Sequence, residues 1–357
     1  MGGRLIVLQK GQMPFYCAVR AALSRTTLAT ALAAVLSGFC ATASWAQITP
    51  APQNQPVITK SPQGEKDDAA RAAARSRARH FDRVLIIVLE NVDYERAIRN
   101  KDLTDLAAKG VSFTNFHALF HPSYPNYLAM VAGTDFGRNR GGSFFGDKQV
   151  NFPNDAAHRT IADSLIAAGL DFKQYAEELP EGPCPANVYD QHVADKRGNY
   201  VRRHVPFLSF REVQEKWCDH VIRVDSSRSD NFFAQDAKKG LVAYSFYTPN
   251  LNHDGHDTTV DVAAAWLKNF LNDTFPEKLR QGMLVIVTFD ESGGNEDNRV
   301  FTMFLGDMVK DASQQDPKAL ARRYTHYSVL RTIEDNFGLP YLTANDRTAQ
   351  PITDIWK

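Results

Sequence analysis

The chain reads as an α/β protein of three layers, with helices packed on both faces of a central, mostly parallel sheet. Two observations predict this. Residues 84–89 and 283–289 are continuous apolar runs, the pattern of strands buried on both faces. Strand-like runs at 241–247 and 300–305 are separated by helical stretches such as 160–168 and 260–271, the alternation that a three-layer sheet requires.

From the N-terminus, Arg20 and Arg25 precede an uncharged, Ala- and Leu-rich stretch at 26–43, and Ser44-Trp45-Ala46 offers the small residues a signal peptidase reads. Residues 1–46 are therefore expected to be a signal peptide cut after Ala46, leaving a periplasmic or secreted protein without a stable membrane anchor. An uncleaved anchor is disfavoured because the stretch is too poor in strongly apolar residues for a span of roughly 20. Lipid attachment at Cys40 is disfavoured by bulky Phe39 before it. Residues 47–61, rich in Pro, Gln and Thr, read as an unpaired lead-in, and 65–80 as a solvated helix. Residues 81–357 are then expected to form a single domain.

The chain of 357 residues carries 41 Lys+Arg and 41 Asp+Glu. Loss of residues 1–46 removes Arg4, Lys10, Arg20 and Arg25 and no acid, leaving 37 basic against 41 acidic groups. No basic surplus exists for gripping nucleic acid, so that partner class is excluded. Oligomeric state is not readable. Of the two cysteines left, Cys184 and Cys218, an oxidising compartment makes one disulfide, closing a loop worth about 3 kcal/mol. It pins the excursion 178–224, which is expected to run beside the sheet as a lid or substrate wall.

Chemistry gathers at the strand ends, where open α/β sheets bind ligands. The 84–89 run stops at Glu90-Asn91 and the 283–289 run at Asp290-Glu291. Carboxylates meeting at one sheet edge repel unless a cation neutralises them. In His121-Pro122-Ser123-Tyr124-Pro125-Asn126-Tyr127, two prolines lead into a short helix over 126–132. Ser123 is thus expected at a helix N-terminus, which favours anions. The segment Asn252-His253-Asp254-Gly255-His256-Asp257 follows the 241–247 strand. His326 opens a last amphipathic helix with Val329, Leu330, Ile333 and Phe337 on one face, ended by Gly338 and Pro340.

These strings, in this order, resemble the acid phosphatase/phospholipase C phosphoesterase family of the alkaline phosphatase superfamily, over about residues 83–342. The resemblance implies an alkaline-phosphatase-like fold. It also implies a divalent ion (Mg²⁺, Ca²⁺, Mn²⁺ or Zn²⁺) held by Glu90, Asn91, Ser123, Asp290 and Glu291, with Ser123 as nucleophile and Asn126 on a phosphoryl oxygen. His256 and His326 fall where two-metal relatives hold a second ion. Asn252 replaces Asp at the companion position, so one metal is expected, with both histidines binding phosphate or protonating the leaving oxygen. His121, Asp254 and His204 are expected to bind substrate, although the run Arg202-Arg203-His204 also suits a solvated face. The implied substrate is a small phosphate ester, cleaved by an acid phosphatase through phosphoserine. The alternatives are a phospholipase C or phosphodiesterase on the same site, and a non-catalytic exported protein that binds phosphate or metal. A sulfatase is excluded because no Pro-x-Arg follows Ser123.

Overall fold

The computed structural model describes residues 80–139, 146–181 and 196–357. Eleven strands occur in them: β1 (Arg83–Leu89), β2 (Val111–Ser112), β3 (Phe116–His117), β4 (Phe172–Glu177), β5 (Lys196–Arg197), β6 (Tyr200–Val201), β7 (Val221–Val224), β8 (Tyr244–Thr248), β9 (Met283–Phe289), β10 (Thr302–Leu305) and β11 (Tyr324–Thr325). Seven form the central sheet in the order β2-β10-β9-β1-β8-β4-β7. The five from β9 to β7 run parallel, and β10 and β2 close one edge antiparallel. The mostly parallel three-layer α/β sheet read from the sequence is the fold.

Hydrophobicity explains the centre. All seven residues of β9 are buried, as are six of the seven in β1. These are the two continuous apolar runs, and they lie side by side, with Leu89 paired to Phe289. That register sets Glu90 and Asp290 next to each other at the carboxyl edge.

Helix boundaries follow local chemistry. Thr160 and Asp163 cap the Ile161–Ala167 helix reciprocally, and Thr259 caps Val260–Asn269, which runs on into a π-turn over Phe270–Thr274. The Ser123–Ala132 helix begins three residues earlier than the 126–132 expectation, because Pro125 is tolerated in a first turn. Every residue of it is buried, and it stops at left-handed Gly133. A side chain there is excluded twice over: φ is +68°, and a Cβ would stand 2.7 Å from an Asp346 carboxylate oxygen.

The 178–224 excursion differs from the expected flap. Its last residues are a sheet strand: β7 pairs with β4 from Gln174↔Val221 to Glu177↔Val224. Phe207, Leu208 and Phe210 are core residues. Arg202 is buried, donating to Asn151 Oδ1 and the Leu208 carbonyl, and His204 is buried beside it, so these two members of the charged run are not a solvated face. Cys218 is disulfide-bonded, while Cys184, its expected partner, lies outside the described residues. So do the expected signal peptide, the expected lead-in and all of the expected 65–80 helix except His80, which is not helical. Among the described residues no helix is long and apolar enough to cross a membrane.

Behind the Ser123–Ala132 helix lie two buried acids. Asp346 accepts from Leu342 N and Thr343 N, and Glu334 keeps one oxygen on Leu342 N and the other without a partner. Burial, then the Asp346 charge, hold the Glu334 carboxyl well above its ordinary 4.5. The folded state therefore retains a proton that the unfolded chain releases, and stability falls as pH rises above 4.5. Glu334→Gln removes that titration. Melting curves from acid to neutral pH should show the variant losing less stability than wild type over this interval, and parallel curves would refute the assignment.

Candidate active site

Glu90 leaves β1, Asp290 and Glu291 leave β9, and Asp254 lies in the turn after β8. These strands are adjacent in the order β9-β1-β8, so three polar turns converge on one spot. The backbone joins them: Asp290 N donates to Leu89 O, and Glu90 N donates to Asp254 O, both at 2.9 Å.

Ser123 is the first residue of its helix, after the cap residue Pro122. Its hydroxyl oxygen is 3.1 Å from Glu90 Oε2 and 3.1 Å from Glu291 Oε1. One hydroxyl proton cannot serve both carboxylates at once. The helix N-terminus supplies less than expected, since Pro125 has no N–H and Tyr124 N is engaged by Asp147 Oδ1 at 3.1 Å.

The acids are short of positive charge. Burial, then Asp290 and Asp254, raise Glu90 well above the carboxylate range, and the Tyr127 hydroxyl opposes this. Asp290 is raised well above it by burial and by Glu291, and Asp254 chiefly by burial. Asn91 sits in the left-handed region at φ 52°, a conformation asparagine tolerates. Its N–H donates to Asp290 Oδ1 at 3.3 Å, while its own Oδ1 is buried without a partner. Asp290 Oδ2, Asp254 Oδ2 and His204 Nε2 are likewise buried without hydrogen bonds.

A divalent cation suits this donor set. Among the described residues, Glu90, His204 and Asp254 have ligand atoms all within 4.8 Å of one another. Ser123 adds its hydroxyl beside Glu90 and Glu291, and Asn91 N–H joins Asp290. His204 Nε2 stands 3.2 Å from Glu90 Oε1, about the separation of two ligands that share an ion at ~2.1 Å. Burial foremost, then Arg203 and His256, hold the His204 imidazole well below its usual pKa, so it is neutral and able to ligate.

Residues 99–340 match the phosphoesterase family. The chain belongs to that family. It is 36% identical over 280 residues to a probable acid phosphatase of Kluyveromyces lactis, a stretch covering 75% of this chain and 61% of that protein. It is 33% identical over 282 residues to a phosphatidylinositol-3-phosphatase of Mycobacterium tuberculosis, covering 77% and 83%. A Penicillium chrysogenum phosphate-repressible acid phosphatase is 31% identical over 293 residues, covering 79% and 67%. The chain thus spans less than two thirds of the Kluyveromyces relative's length. The fold is shared with a protein of the alkaline phosphatase superfamily from Vibrio parahaemolyticus, at TM-score 0.51 and 13% identity, covering 81% of this chain and 79% of that one.

The remaining positions of this family member sort by depth. Asn126 is buried and occupied by its own loop: Oδ1 accepts from Leu119 N and Phe120 N at 3.0 Å, and Nδ2 donates to Phe120 O and Pro122 O. His326 Nε2 donates to the Asp290 carbonyl at 2.8 Å, and burial holds this ring at about 4. It supports the β9 turn through Nε2, while its Nδ1 is buried without a hydrogen bond. Two histidines lie nearer solvent. His121 Nδ1 is 2.5 Å from Glu291 Oε2, a bond that raises its pKa. His256 takes its place from Asp254 Oδ1, which caps its N–H at 2.8 Å, and its Nδ1 pairs with Asp257 Oδ1. Asp254 and His204, expected on substrate, stand beside Glu90.

Tyr127 was not singled out in the sequence. Its hydroxyl donates to Glu90 Oε1 at 2.5 Å, and its ring stacks on His204 at 4.9 Å. The available signal was spacing: Ser123 and Tyr127 are four apart, hence on one helix face, and both reach Glu90.

Cation binding has a thermal signature. At about 100 times the dissociation constant, linkage adds about 2.7 kcal/mol, a rise of roughly 5–10 °C for a domain this size. Glu90→Gln should lose the Mn²⁺-dependent rise yet melt above metal-free wild type, because one repelling carboxylate is gone. Calorimetry in EDTA and in Mn²⁺ tests both halves, and an unchanged Mn²⁺ response in the variant counts against the site.

Proposed function

We propose that this chain is an exported, metal-dependent phosphoesterase that hydrolyses phosphate monoesters, as an acid phosphatase does, with Ser123 as the nucleophile. The observation that carries this is the Ser123 hydroxyl held at 3.1 Å from two buried carboxylates at the carboxyl edge of a parallel sheet. The family match and three relatives named as phosphatases support it. Export rests on the N-terminal sequence pattern alone.

In this reading Ser123 Oγ attacks phosphorus and its proton passes to Glu90 Oε2 or Glu291 Oε1, the acceptors already in place. The bond from phosphorus to the ester oxygen breaks as the serine bond forms, leaving phosphoserine and an alcohol. His121, with its raised proton affinity, or His256 supplies the alcohol's proton from the solvent side. Water then attacks the phosphoserine, releasing inorganic phosphate and restoring the hydroxyl. A divalent cation held by Glu90, Asn91, Ser123, Asp290 and Glu291 would supply the positive charge that favours serine ionisation and offsets charge on the phosphoryl oxygens. Oxygen donors favour Mg²⁺, Ca²⁺ or Mn²⁺, and the His204 imidazole admits Zn²⁺. Asn126 keeps the loop before Ser123 in shape. For Nδ2 to reach a phosphoryl oxygen as well, it must exchange the 3.3 Å bond to Pro122 O.

Ser123→Ala should lower turnover of p-nitrophenyl phosphate by roughly 10³-fold or more, with little change in the thermal melt. Wild type should prefer that ester over p-nitrophenylphosphorylcholine. Full activity in Ser123→Ala removes the nucleophile, and the reverse preference replaces the monoesterase with a diesterase.

A further inference from the structure

We propose that Glu177 is a positioning residue for this site: a buried carboxyl strut that shapes the 250–257 turn and so places Asp254 and His256. The inference rests on the phosphoesterase reading above. Glu177 ends β4, whose register with β8 pairs Ala176 with Thr248. It therefore lies where β8 gives way to the turn. Its side chain is buried, and three donors converge on it. Tyr247 OH reaches Oε1 at 2.9 Å, and Asn250 N and His253 Nδ1 reach Oε2 at 3.0 and 2.6 Å.

The turn is wound around the residue so held. Asn250 Oδ1 accepts from Asn252 N and His253 N, and the Asn250 carbonyl accepts from Asp254 N at 2.9 Å. Asp254 then makes three contacts that matter to the site. Its carbonyl accepts Glu90 N at 2.9 Å, Oδ1 caps His256 N, and Oδ2 faces His204 Nδ1 at 3.8 Å. The outer side is clamped by His253 stacked on Trp266 at 5.5 Å. A path of short bonds thus runs from Glu177 through the turn to the backbone of Glu90.

The turn depends on these acceptors. Two carboxyl oxygens accept from three donors, whereas a leucine offers no acceptor to Asn250 N–H or His253 N–H. Leaving those buried donors unpaired displaces the turn. Ligating groups work only within about 0.5 Å of their productive places, and loss of an outer partner typically weakens metal affinity or activity 10–100-fold.

The test uses the full chain carrying Glu177→Leu, with Mn²⁺ affinity measured by titration calorimetry and kcat and KM measured on p-nitrophenyl phosphate at saturating Mn²⁺. Mn²⁺ binding should weaken roughly 10–100-fold, and kcat should stay depressed at saturation while KM moves less. Tyr247→Phe removes a donor without touching the turn and should leave Mn²⁺ affinity at the wild-type value. Should Glu177→Leu not fold, His253→Ala carries the test, because it removes the 2.6 Å bond while leaving Asn250 N on the carboxylate, and its Mn²⁺ affinity should fall in the same direction. A lowered melting temperature with wild-type Mn²⁺ affinity and kcat in the variant that folds makes Glu177 merely structural and overturns the proposal alone. A wild-type chain that neither binds Mn²⁺ nor cleaves the ester overturns the phosphoesterase reading and this inference with it.

Discussion

Repulsion among buried carboxylates is the constraint on which this site depends. Glu90, Asp254, Asp290 and Glu291 all lie in the interior at one sheet edge. Water no longer screens them there, and like charges raise one another's proton affinity. The local donors are too few. Tyr127 serves one oxygen of Glu90, His121 one of Glu291, and Ser123 brings a single proton to both acids. Unserved acceptors on Asn91, Asp290 and Asp254 show the same shortage. A bound cation would resolve it with one charge center, offsetting an arrangement otherwise costly to stability.

Parallel topology is what makes such crowding possible. Neighbouring strands in a sheet lie about 4.8 Å apart, so acidic residues just beyond adjacent strands must meet. Here β9, β1, β8 and β4 are four consecutive neighbours, and each ends at or near a carboxylate: Asp290, Glu90, Asp254 and Glu177. The first three have gaps in their hydrogen bonding or one proton shared between acids. Glu177 has none, since both its oxygens are occupied. The same residue type thus performs opposite tasks along one edge, and the density of donors around each carboxylate tells them apart.

The fold was legible because its strongest strands are apolar throughout. Residues 84–89 and 283–289 needed no periodicity argument, and their ends led directly to Glu90 and Asp290. The last part of the 178–224 segment was not legible as sheet, because β7 spans only Val221–Val224 and its two central residues, Ile222 and Arg223, are half-exposed. Nor was the depth of Arg202 and His204. A run of charged residues ordinarily faces water, and here Asn151, Leu208 and Tyr127, none near in sequence except Leu208, make the interior polar enough to hold them. Tyr127 escaped notice because an aromatic residue inside an apolar helix resembles core packing. Only the position of Glu90 reveals what its hydroxyl does.

Depth also divides the histidines, and this bears on the chemistry. His204 and His326 are buried far enough that the imidazolium is disfavoured. One stands by Glu90 and Asp254, the other bonds the Asp290 carbonyl through Nε2, and each keeps one nitrogen without a hydrogen bond. Such rings fit ligation and support. His121 and His256 lie nearer solvent, each beside a carboxylate, and the bond to Glu291 raises the proton affinity of His121. The histidines are therefore layered, two in the interior and two toward solvent. Glu291 spans the two depths, with one oxygen on the Ser123 hydroxyl and the other on His121.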